Sequence, residues 1–208
     1  AIAALLAEAL PGVPVSLSSD VLPEIGEYGR SSTTVMNAYL LKIVGRHLER
    51  VRTGLEARGF SGRLNAVTSA GGLIEQDVAA RFPIKLLESG PAAGSVGIAA
   101  MSAGDLVSFD IGGTTAKTSF IEAGSPYRSS EYEAGRIERF RRGSGLLVKV
   151  PTIDIVEIGA GGGSIAGLDR SGVLTVGPLS AGSAPGPACY GLGGELPTVT
   201  DADLLLGY

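Results

Sequence analysis

The sequence predicts an α/β fold, on the border with α+β, in which mixed β-sheets are flanked by helices. Apolar residues recur at spacings of three and four over residues 33–58, which indicates a long amphipathic helix. Short apolar runs bounded by glycine recur elsewhere, most clearly at 106–110 and 116–121, which indicates two strands joined by a tight turn. Helical and strand patterns alternate along the chain, as they do in folds that pack helices against sheets.

Apolar periodicity predicts the position of each helix and strand, and proline and glycine residues mark where each one ends. The predicted helices span residues 1–10, 33–58 and about 89–103. The predicted strands span residues 13–17, 63–69, 106–110, 116–121, 153–158, 165–168 and 173–176. Three further stretches are expected to be irregular, because glycine and proline interrupt them or because no clear period is present; they are 18–32, 123–145 and 178–204.

Composition and charge restrict the class of protein. With 44% hydrophobic and 18% charged residues, the chain is globular and not disordered. The net charge of −4 argues against a nucleic-acid partner, because phosphate binding needs a basic face. No apolar run is long enough to span a membrane, and the single cysteine excludes an internal disulfide, so we expect a cytoplasmic location. One basic cluster, interleaved with Glu138, is predicted to be a solvated surface: Arg136, Arg139, Arg141 and Arg142.

Residues 110–115, with the sequence Asp-Ile-Gly-Gly-Thr-Thr, connect the strands predicted at 106–110 and 116–121. Glycines let a chain turn back with free N–H groups on its concave side, and successive N–H groups bind anions. The two threonines add hydroxyl donors. The Asp110 carboxylate would repel a phosphate unless a Mg²⁺ ion, usually through its waters, lies between them. The segment therefore predicts a phosphate-binding hairpin, most simply for a nucleotide. The alternative is an ordinary Gly-Gly turn beside an unrelated aspartate.

A second glycine cluster, Gly-Ala-Gly-Gly-Gly-Ser at 159–164, has neither the Walker lysine nor the Rossmann spacing. Its backbone is expected either to approach a substrate or nucleotide closely or to form a tight sheet corner. We favour the first interpretation, because four glycines exceed what a corner needs. The cofactor-binding candidates in this cluster are Gly161, Gly162, Gly163 and Ser164.

Several single side chains leave alternatives open. Cys189 has three possible roles: a nucleophile, a metal ligand or a small buried apolar residue. We favour the buried residue, because a lone cysteine is most often buried. Asp201 is a helix N-cap or a metal-binding carboxylate, and we favour the cap. Lys117 either reaches a bound phosphate or lies exposed on the outgoing strand. His47 is expected at the surface or its boundary.

Together, several segments resemble the hydantoinase/oxoprolinase family, the A-type subunits of N-methylhydantoinases and 5-oxoprolinases within the actin, hexokinase and heat-shock-chaperone ATPase superfamily. Two motifs of that family, an earlier phosphate loop and an adenosine-side glycine motif, are not in this sequence. Both ends also read as interrupted elements, so we expect an internal fragment carrying half of a nucleotide site. The matching segments are EYGRSSTTVMNAYL at 27–40, TSAGGLI at 68–74, LLESGPAAG at 86–94, FDIGGTTAK at 109–117, EIGAGGGSIA at 157–166, VGPLSAGSAPGPACYG at 176–191 and TVTDADLLLG at 198–207.

The resemblance implies an actin-like, ribonuclease H-like architecture. Residues 1–104 would end the first ATPase lobe with a hinge helix, and 105–208 would begin the second. Asp110 would hold the metal-bound waters and, with Thr114, would be catalytic. Small residues in the hinge helix would let the lobes move past each other; these are Gly90, Ala92 and Gly94. The residues that would contact the nucleotide in the loop are Gly112, Gly113, Thr114, Thr115 and Lys117.

The function that the resemblance implies is an ATP-dependent hydrolase that opens a cyclic amide such as a hydantoin or 5-oxoproline. Its cofactors would be ATP and Mg²⁺ or another divalent metal. The alternatives are a carboxylase of the acetone type, a non-enzymatic actin-like or chaperone-like nucleotide switch, and a small-molecule kinase. The expected partners are a cyclic amide, a B-type subunit or domain and a second copy of the chain, but neither nucleic acid nor membrane. The isolated fragment is expected to be inactive.

Overall fold

The computed structural model describes residues 2–101, 103–135 and 143–208. The arginine cluster predicted at 136–142 lies outside these residues. The chain forms two compact units, the first from Ala1–Gly97 with Tyr127–Asp154 and the second from Ile98–Pro126 with Ile155–Tyr208. The predicted division into 1–104 and 105–208 has a single boundary, whereas in the structure the segment Tyr127–Asp154 belongs to the first unit. The assignment of the units to two ATPase lobes stays a prediction.

The described helices and strands occur in blocks and do not alternate as expected: most helices lie before residue 102, and most strands lie between residues 106 and 180. The helices are α1 (Ile2–Ala9), α2 (Ser18–Val21), α3 (Glu27–Glu56), α4 (Gln76–Arg81), α5 (Ser89–Met101) and α6 (Val199–Leu206), with 3₁₀ turns at Pro83–Leu86 and Ala188–Tyr190. The strands are β1 (Asn65–Val67), β2 (Leu73–Glu75), β3 (Leu106–Ile111), β4 (Ala116–Glu122), β5 (Ser125–Pro126), β6 (Arg128–Ser129), β7 (Tyr132–Ala134), β8 (Leu146–Val148), β9 (Thr152–Ile153), β10 (Val156–Ile158), β11 (Ser164–Leu168) and β12 (Leu174–Ser180).

Helix α3 begins at Glu27, earlier than the predicted residue 33, because the polar stretch before that residue is also helical, with Gly29 and Ser32 buried. The Thr33 hydroxyl donates to the Gly29 carbonyl at 2.7 Å and accepts the Lys149 N–H at 2.9 Å. The Ser32 hydroxyl donates to the Leu147 carbonyl on β8. These bonds satisfy the polar groups that burial takes from water. The apolar residues predicted to face the core on this helix include four exposed ones, Val35, Tyr39, Ile43 and Val51.

The apolar core of the first unit is small. Ile84, Val148 and Val150 are buried together. Partly buried side chains from several elements pack around them; these are Val21, Met36, Leu40, Leu87 and Ala134. The segment Tyr127–Asp154 therefore completes this core from a distant part of the sequence, which a residue-by-residue pattern does not reveal.

Strand pairing in the second unit centres on β4, which lies between β3 and β10, with β5 also paired to β4. The hairpin predicted from the runs at 106–110 and 116–121 is confirmed as β3 and β4, and the hairpin predicted at 165–176 is confirmed as β11 and β12. The strand predicted at 153–158 is wrong as one element, because β9 pairs with β6 whereas β10 pairs with β4.

Each strand pair within the described residues is antiparallel, although mixed sheets were expected. Short turns join most of the paired strands, and a parallel pair would require a long crossover. The strand predicted at 13–17 is also wrong, since those residues form no strand. The strand β2 was not predicted, and helix α6 begins at Val199, before the Asp201 that was favoured as its N-cap. None of the helices in the described ranges has the length and hydrophobicity needed to cross a membrane.

Candidate phosphate-binding site

Residues 110–115, with the sequence Asp-Ile-Gly-Gly-Thr-Thr, are called the DGGT loop. Residues 112–115 of this loop form a tight hairpin turn. Ile111, the last residue of β3, pairs with Ala116, the first residue of β4. The Gly112 N–H donates to the Thr115 carbonyl at 2.9 Å and closes the loop. The predicted hairpin is therefore confirmed in position and length.

Two carbonyl groups of the DGGT loop accept hydrogen bonds from the glycine segment, which we define as residues 159–164. The Gly162 N–H donates to the Gly112 carbonyl at 3.0 Å, and the Gly163 N–H donates to the Gly113 carbonyl at 2.7 Å. In a trans peptide the C=O and the N–H point in opposite directions. The N–H groups of Gly113 and Thr114 are therefore directed away from the N–H groups of Gly162 and Gly163.

These outward N–H groups are available to an anion. The N–H groups of Gly113, Thr114 and Thr115 have no acceptor within residues 2–101, 103–135 and 143–208. The hydroxyl groups of the two threonines have no hydrogen-bond partner within the same residues. Gly113 and Thr114 are exposed to solvent, and Thr115 is half-buried. The loop thus offers a short row of donors of the kind that binds phosphate oxygens.

The glycine at position 113 is not required by the fold itself. Gly112 and Gly113 both lie outside the left-handed φ region, whereas the common two-residue Gly-Gly turn needs a positive φ. A Cβ atom added to Gly113 would meet nothing within 4 Å, and one added to Gly112 would meet only the Thr115 carbonyl at 3.5 Å. The open space beside the free N–H groups favours close approach of a ligand over a simple turn.

Charged side chains cross the sheet in one row beside the loop. Asp110 pairs with Lys117, and Lys117 pairs with Glu157, so the three side chains share one face of β3, β4 and β10. The Asp110 carboxylate is exposed and makes no hydrogen bond or ion pair within the described parts of the chain. Lys117 is half-buried and already engaged in another interaction, so it is not an exposed side chain. Contact between Lys117 and a phosphate stays a prediction.

The donors and the acid of the DGGT loop fit a nucleotide phosphate with a hydrated Mg²⁺ ion. The N–H groups and threonine hydroxyls suit phosphate oxygens, and the single carboxylate suits waters of the ion. No cluster of three or more His, Cys, Asp or Glu residues that could hold a metal occurs in the described chain. The residues present therefore fit an ion bound mainly through water and phosphate oxygens, as Mg²⁺ usually is with nucleotides.

The glycine segment packs against the DGGT loop. A Cβ added to Gly161 would lie 2.6 Å from the Thr114 carbonyl carbon and 2.7 Å from both the Gly112 oxygen and the Thr114 nitrogen. The Gly161 N–H donates to the Ser164 hydroxyl at 2.8 Å, so this N–H is also used within the chain. The segment needs glycine because backbone meets backbone. The sequence did not reveal the contact between the glycine segment and the DGGT loop, which lie some fifty residues apart. Direct contact of residues 161–164 with a nucleotide stays a prediction.

Asp201 belongs to a capping box at the start of α6. Thr198 is the N-cap: its hydroxyl accepts the Asp201 N–H at 3.3 Å, and the Asp201 carboxylate accepts the Thr198 N–H at 2.8 Å. Asp201 was favoured as the N-cap itself, and it is instead the third residue of the helix. The spacing of a threonine and an acid three residues later, before an apolar run, is a signal from which the box is predictable.

The Asp201 carboxylate also holds the short turn that contains Cys189. It accepts the Cys189 N–H at 2.7 Å and the Ala188 N–H at 3.3 Å. These bonds, first the Cys189 N–H and then its thiol, hold the pKa of Asp201 well below its usual range. Donation of the thiol proton to this carboxylate raises the pKa of Cys189. Cys189 is exposed, so the buried interpretation is wrong, and its raised pKa opposes the role of a thiolate nucleophile.

We predict that Asp201→Asn lowers the melting temperature at pH 7 by roughly 2–6 °C, because an amide cannot accept all of these bonds. Since folding lowers the pKa of Asp201 from an unfolded value near 3.9, its stabilisation is complete above that pH and is lost as the pH falls below it. Thermal melts from pH 7 to pH 3 should therefore show the wild type and the variant converging. Asp203→Asn, which removes an exposed acid of the same helix, should leave the melting temperature unchanged at both ends of this range. Parallel pH profiles for the wild type and Asp201→Asn would contradict this account.

The predicted hinge helix is confirmed as a helix, α5, which begins at Ser89. Its small residues differ in their surroundings. Ala92 is fully buried, whereas a Cβ added to Gly90 or Gly94 would meet nothing within 4 Å. Packing by small side chains is therefore present at Ala92. A hinge role for this helix stays a prediction.

Residues 30–208 match the model of the hydantoinase/oxoprolinase family. The chain is 41% identical to the caprolactamase subunit alpha of Pseudomonas jessenii over 99% of its own length and 29% of that protein. It is 37% identical to the acetophenone carboxylase gamma subunit of Aromatoleum aromaticum, covering 94% of the chain and 26% of the relative. It is 34% identical to the 5-oxoprolinase of Saccharomyces cerevisiae, covering 93% of the chain and 14% of that protein. The chain thus spans less than a third of each of these relatives.

Two solved structures share the fold. The crystal structure of the ATP-dependent caprolactamase from Pseudomonas jessenii aligns with a TM-score of 0.65 and 38% identity, over 99% of the chain and 29% of that structure. A nucleotide-free acetone carboxylase aligns with a TM-score of 0.73 and 24% identity, over 100% of the chain and 28% of that structure. The second likeness concerns the fold alone. Together they confirm the fold class expected from the sequence, with its actin-like architecture.

Proposed function

The chain belongs to the hydantoinase/oxoprolinase family, and from this premise we propose that it is part of an ATP-dependent enzyme that opens a cyclic amide. One observation carries the proposal beyond family membership. The N–H groups of Gly113 and Thr114 have no acceptor among the described residues, and the exposed Asp110 ends the strand that leads into the same turn. This arrangement suits a nucleotide phosphate with its metal ion, and a lactamase that uses ATP shares the fold.

The proposed chemistry assigns the loop a binding and orienting role. A lactam carbonyl is a poor electrophile, and ATP would supply the phosphoryl group that activates the amide oxygen for ring opening. The N–H groups of Gly113 and Thr114 and the Thr114 hydroxyl would hold phosphate oxygens, while Asp110 would orient the waters of a divalent ion. Fixed donors of this kind accelerate phosphoryl transfer by positioning and by stabilising negative charge. We propose Mg²⁺ as the ion and a cytoplasmic location.

A carboxylase is the second candidate, because one relative is a carboxylase subunit and one structural neighbour is an acetone carboxylase. The same phosphate site would then activate a different substrate, and the loop does not distinguish the two reactions. Two of the relatives are named as subunits. We therefore propose a second, B-type subunit or domain as partner, and a second copy of the chain remains a prediction from sequence.

The test measures ADP release by the full-length protein, with and without a candidate B-type subunit. Each of caprolactam, 5-oxoproline and hydantoin is added in turn, and the ring-opened product is followed by mass spectrometry. We expect one cyclic amide to stimulate ADP release in proportion to ring-opened product. Incorporation of labelled bicarbonate into a ketone substrate would instead assign the protein to the carboxylases. ATP turnover that ignores all these substrates and responds to a protein partner would contradict both candidates.

A further inference from the structure

We propose that the glycine segment positions the DGGT loop for phosphate binding, with Gly161, Gly162 and Gly163 acting through the loop backbone and not by touching the nucleotide. The inference rests on the proposed function, because it assigns the phosphate to the opposite side of the loop. Its basis is the set of backbone contacts on either side of the segment.

On the loop side, the segment controls the orientation of two peptide planes. The Gly162 and Gly163 N–H groups hold the carbonyls of Gly112 and Gly113 at 3.0 Å and 2.7 Å. Rotation of either loop peptide would break one of these bonds and leave its polar groups without their partners. The N–H groups on the far side of the same two peptides, those of Gly113 and Thr114, are consequently fixed in direction before any ligand arrives.

On its other side, the segment is attached to the body of the second unit. The Thr200 N–H donates to the Gly162 carbonyl at 2.8 Å, and the Ala181 N–H donates to the Gly163 carbonyl at 2.8 Å. Thr200 lies in the first turn of α6, which the capping box of Thr198 and Asp201 closes. The segment therefore connects the loop to a capped helix end and to the chain that follows β12. Such a support restricts the loop more than its own single closing bond would.

Glycine is required because the approach is too close for a side chain. A Cβ at Gly161 would lie 2.6 to 2.7 Å from three backbone atoms of Gly112 and Thr114, and one at Gly163 would lie 3.0 Å from the Gly113 carbonyl oxygen. Backbone atoms have no rotamer through which to move aside, so an added methyl group must displace the loop. At Gly167, on β11, a Cβ would meet nothing within 4 Å, which makes that residue a matched control.

The experiment uses the full-length protein and two ligands, the ATP analogue AMP-PNP with Mg²⁺ and adenosine, which has no phosphate. Calorimetry gives the Kd of each ligand. We expect Gly161→Ala to weaken AMP-PNP binding by about 10- to 100-fold, as expected for the loss of one or two hydrogen bonds to a charged phosphate, with no change for adenosine. Gly167→Ala should bind both ligands as the wild type does. If Gly161→Ala does not fold, Gly163→Ala, whose closest loop contact is less severe, takes its place.

Amide hydrogen exchange separates positioning from direct contact. In the wild type, peptides covering residues 159–164 should be protected equally with and without AMP-PNP, whereas peptides covering 111–116 should gain protection when it binds. A gain of protection at 159–164 alone would overturn the inference in favour of direct binding, as would unchanged AMP-PNP affinity in a folded Gly161→Ala or Gly163→Ala variant. Equal weakening of AMP-PNP and adenosine would overturn it as well, because it would indicate general damage. A wild-type protein that binds no AMP-PNP would contradict the proposed function first and this inference with it.

Discussion

Replacing Asp110 with asparagine in the full-length protein is expected to lower ATP turnover by about 100-fold or more while the protein stays folded. The exposed carboxylate of Asp110 makes no hydrogen bond within the described residues, so its loss leaves no buried group unsatisfied. Its cross-strand neighbour Lys117 contributes at most about 1 kcal/mol to such a pair. The expected loss of activity follows from the proposed role of Asp110, which would orient metal-bound waters beside the phosphate.

The measurements are the steady-state rate of ADP release, the melting temperature and the dependence of the rate on Mg²⁺ concentration. If Asp110 orients the ion, the variant should need more Mg²⁺ to reach half of its own maximal rate. Asp203→Asn removes the same charge from an exposed site on α6 and should leave the rate and its Mg²⁺ dependence unchanged. Normal turnover by a folded Asp110→Asn protein would remove this residue from the phosphate site.

The DGGT hairpin was predictable because everything that forms it is local. Two apolar strands flank it, and its closing bond joins Gly112 to Thr115. Helix α5 was predictable for a similar reason, since Pro91 near its start and small residues along it are read directly from the sequence. The charged row from Asp110 to Glu157 was not, because it depends on which strand pairs with β4.

Features that depend on distant partners were predicted incorrectly or incompletely. The pattern of the glycine segment did not reveal that the N–H groups of Gly162 and Gly163 bond to a loop some fifty residues earlier in the chain, and its contact with a nucleotide stays a prediction. Which face of helix α3 is buried was also predicted incorrectly. Its apolar spacing suggested a core face, yet Val35 and Tyr39 are exposed. The buried side chains Ser32, Thr33 and Asn37 are polar, and each has a hydrogen-bond partner outside the helix. Periodicity identifies a helix, but only the tertiary partner determines which face is buried.

Asn37, on the polar face of α3, is a residue whose loss is expected to destabilise the first unit strongly. Its side chain is 1% exposed. Its amide group donates to the Ser16 hydroxyl at 2.9 Å and to the Arg81 carbonyl at 3.2 Å, and its oxygen accepts the Ile84 N–H at 3.3 Å. Asn37 thereby ties α3 to the segment before α2, to the end of α4 and to the 3₁₀ turn that carries the core residue Ile84.

Asn37→Ala is expected to lower the free energy of unfolding by about 2–4 kcal/mol, measured by urea denaturation. The buried Ile84 N–H would lose its acceptor, at a cost of roughly 1–3 kcal/mol, and the missing side chain would leave a cavity. Asn65→Ala removes the same group from an exposed strand position and should change stability by less than about 0.5 kcal/mol. Equal effects at the two positions would show that the three hydrogen bonds of Asn37 contribute little.

Asn37→Asp separates the contribution of the hydrogen bonds from that of side-chain volume. The aspartate keeps the shape and an acceptor for the Ile84 N–H, but when ionised it turns the donor facing the Arg81 carbonyl into a second acceptor. A carboxyl group buried in this way has a raised pKa, so it penalises folding at pH 7 and recovers a donor when protonated. The stability of the variant relative to the wild type should therefore increase as the pH is lowered from 7 towards 4. If cavity formation alone set the cost at this position, Asn37→Asp would be as stable as the wild type at every pH.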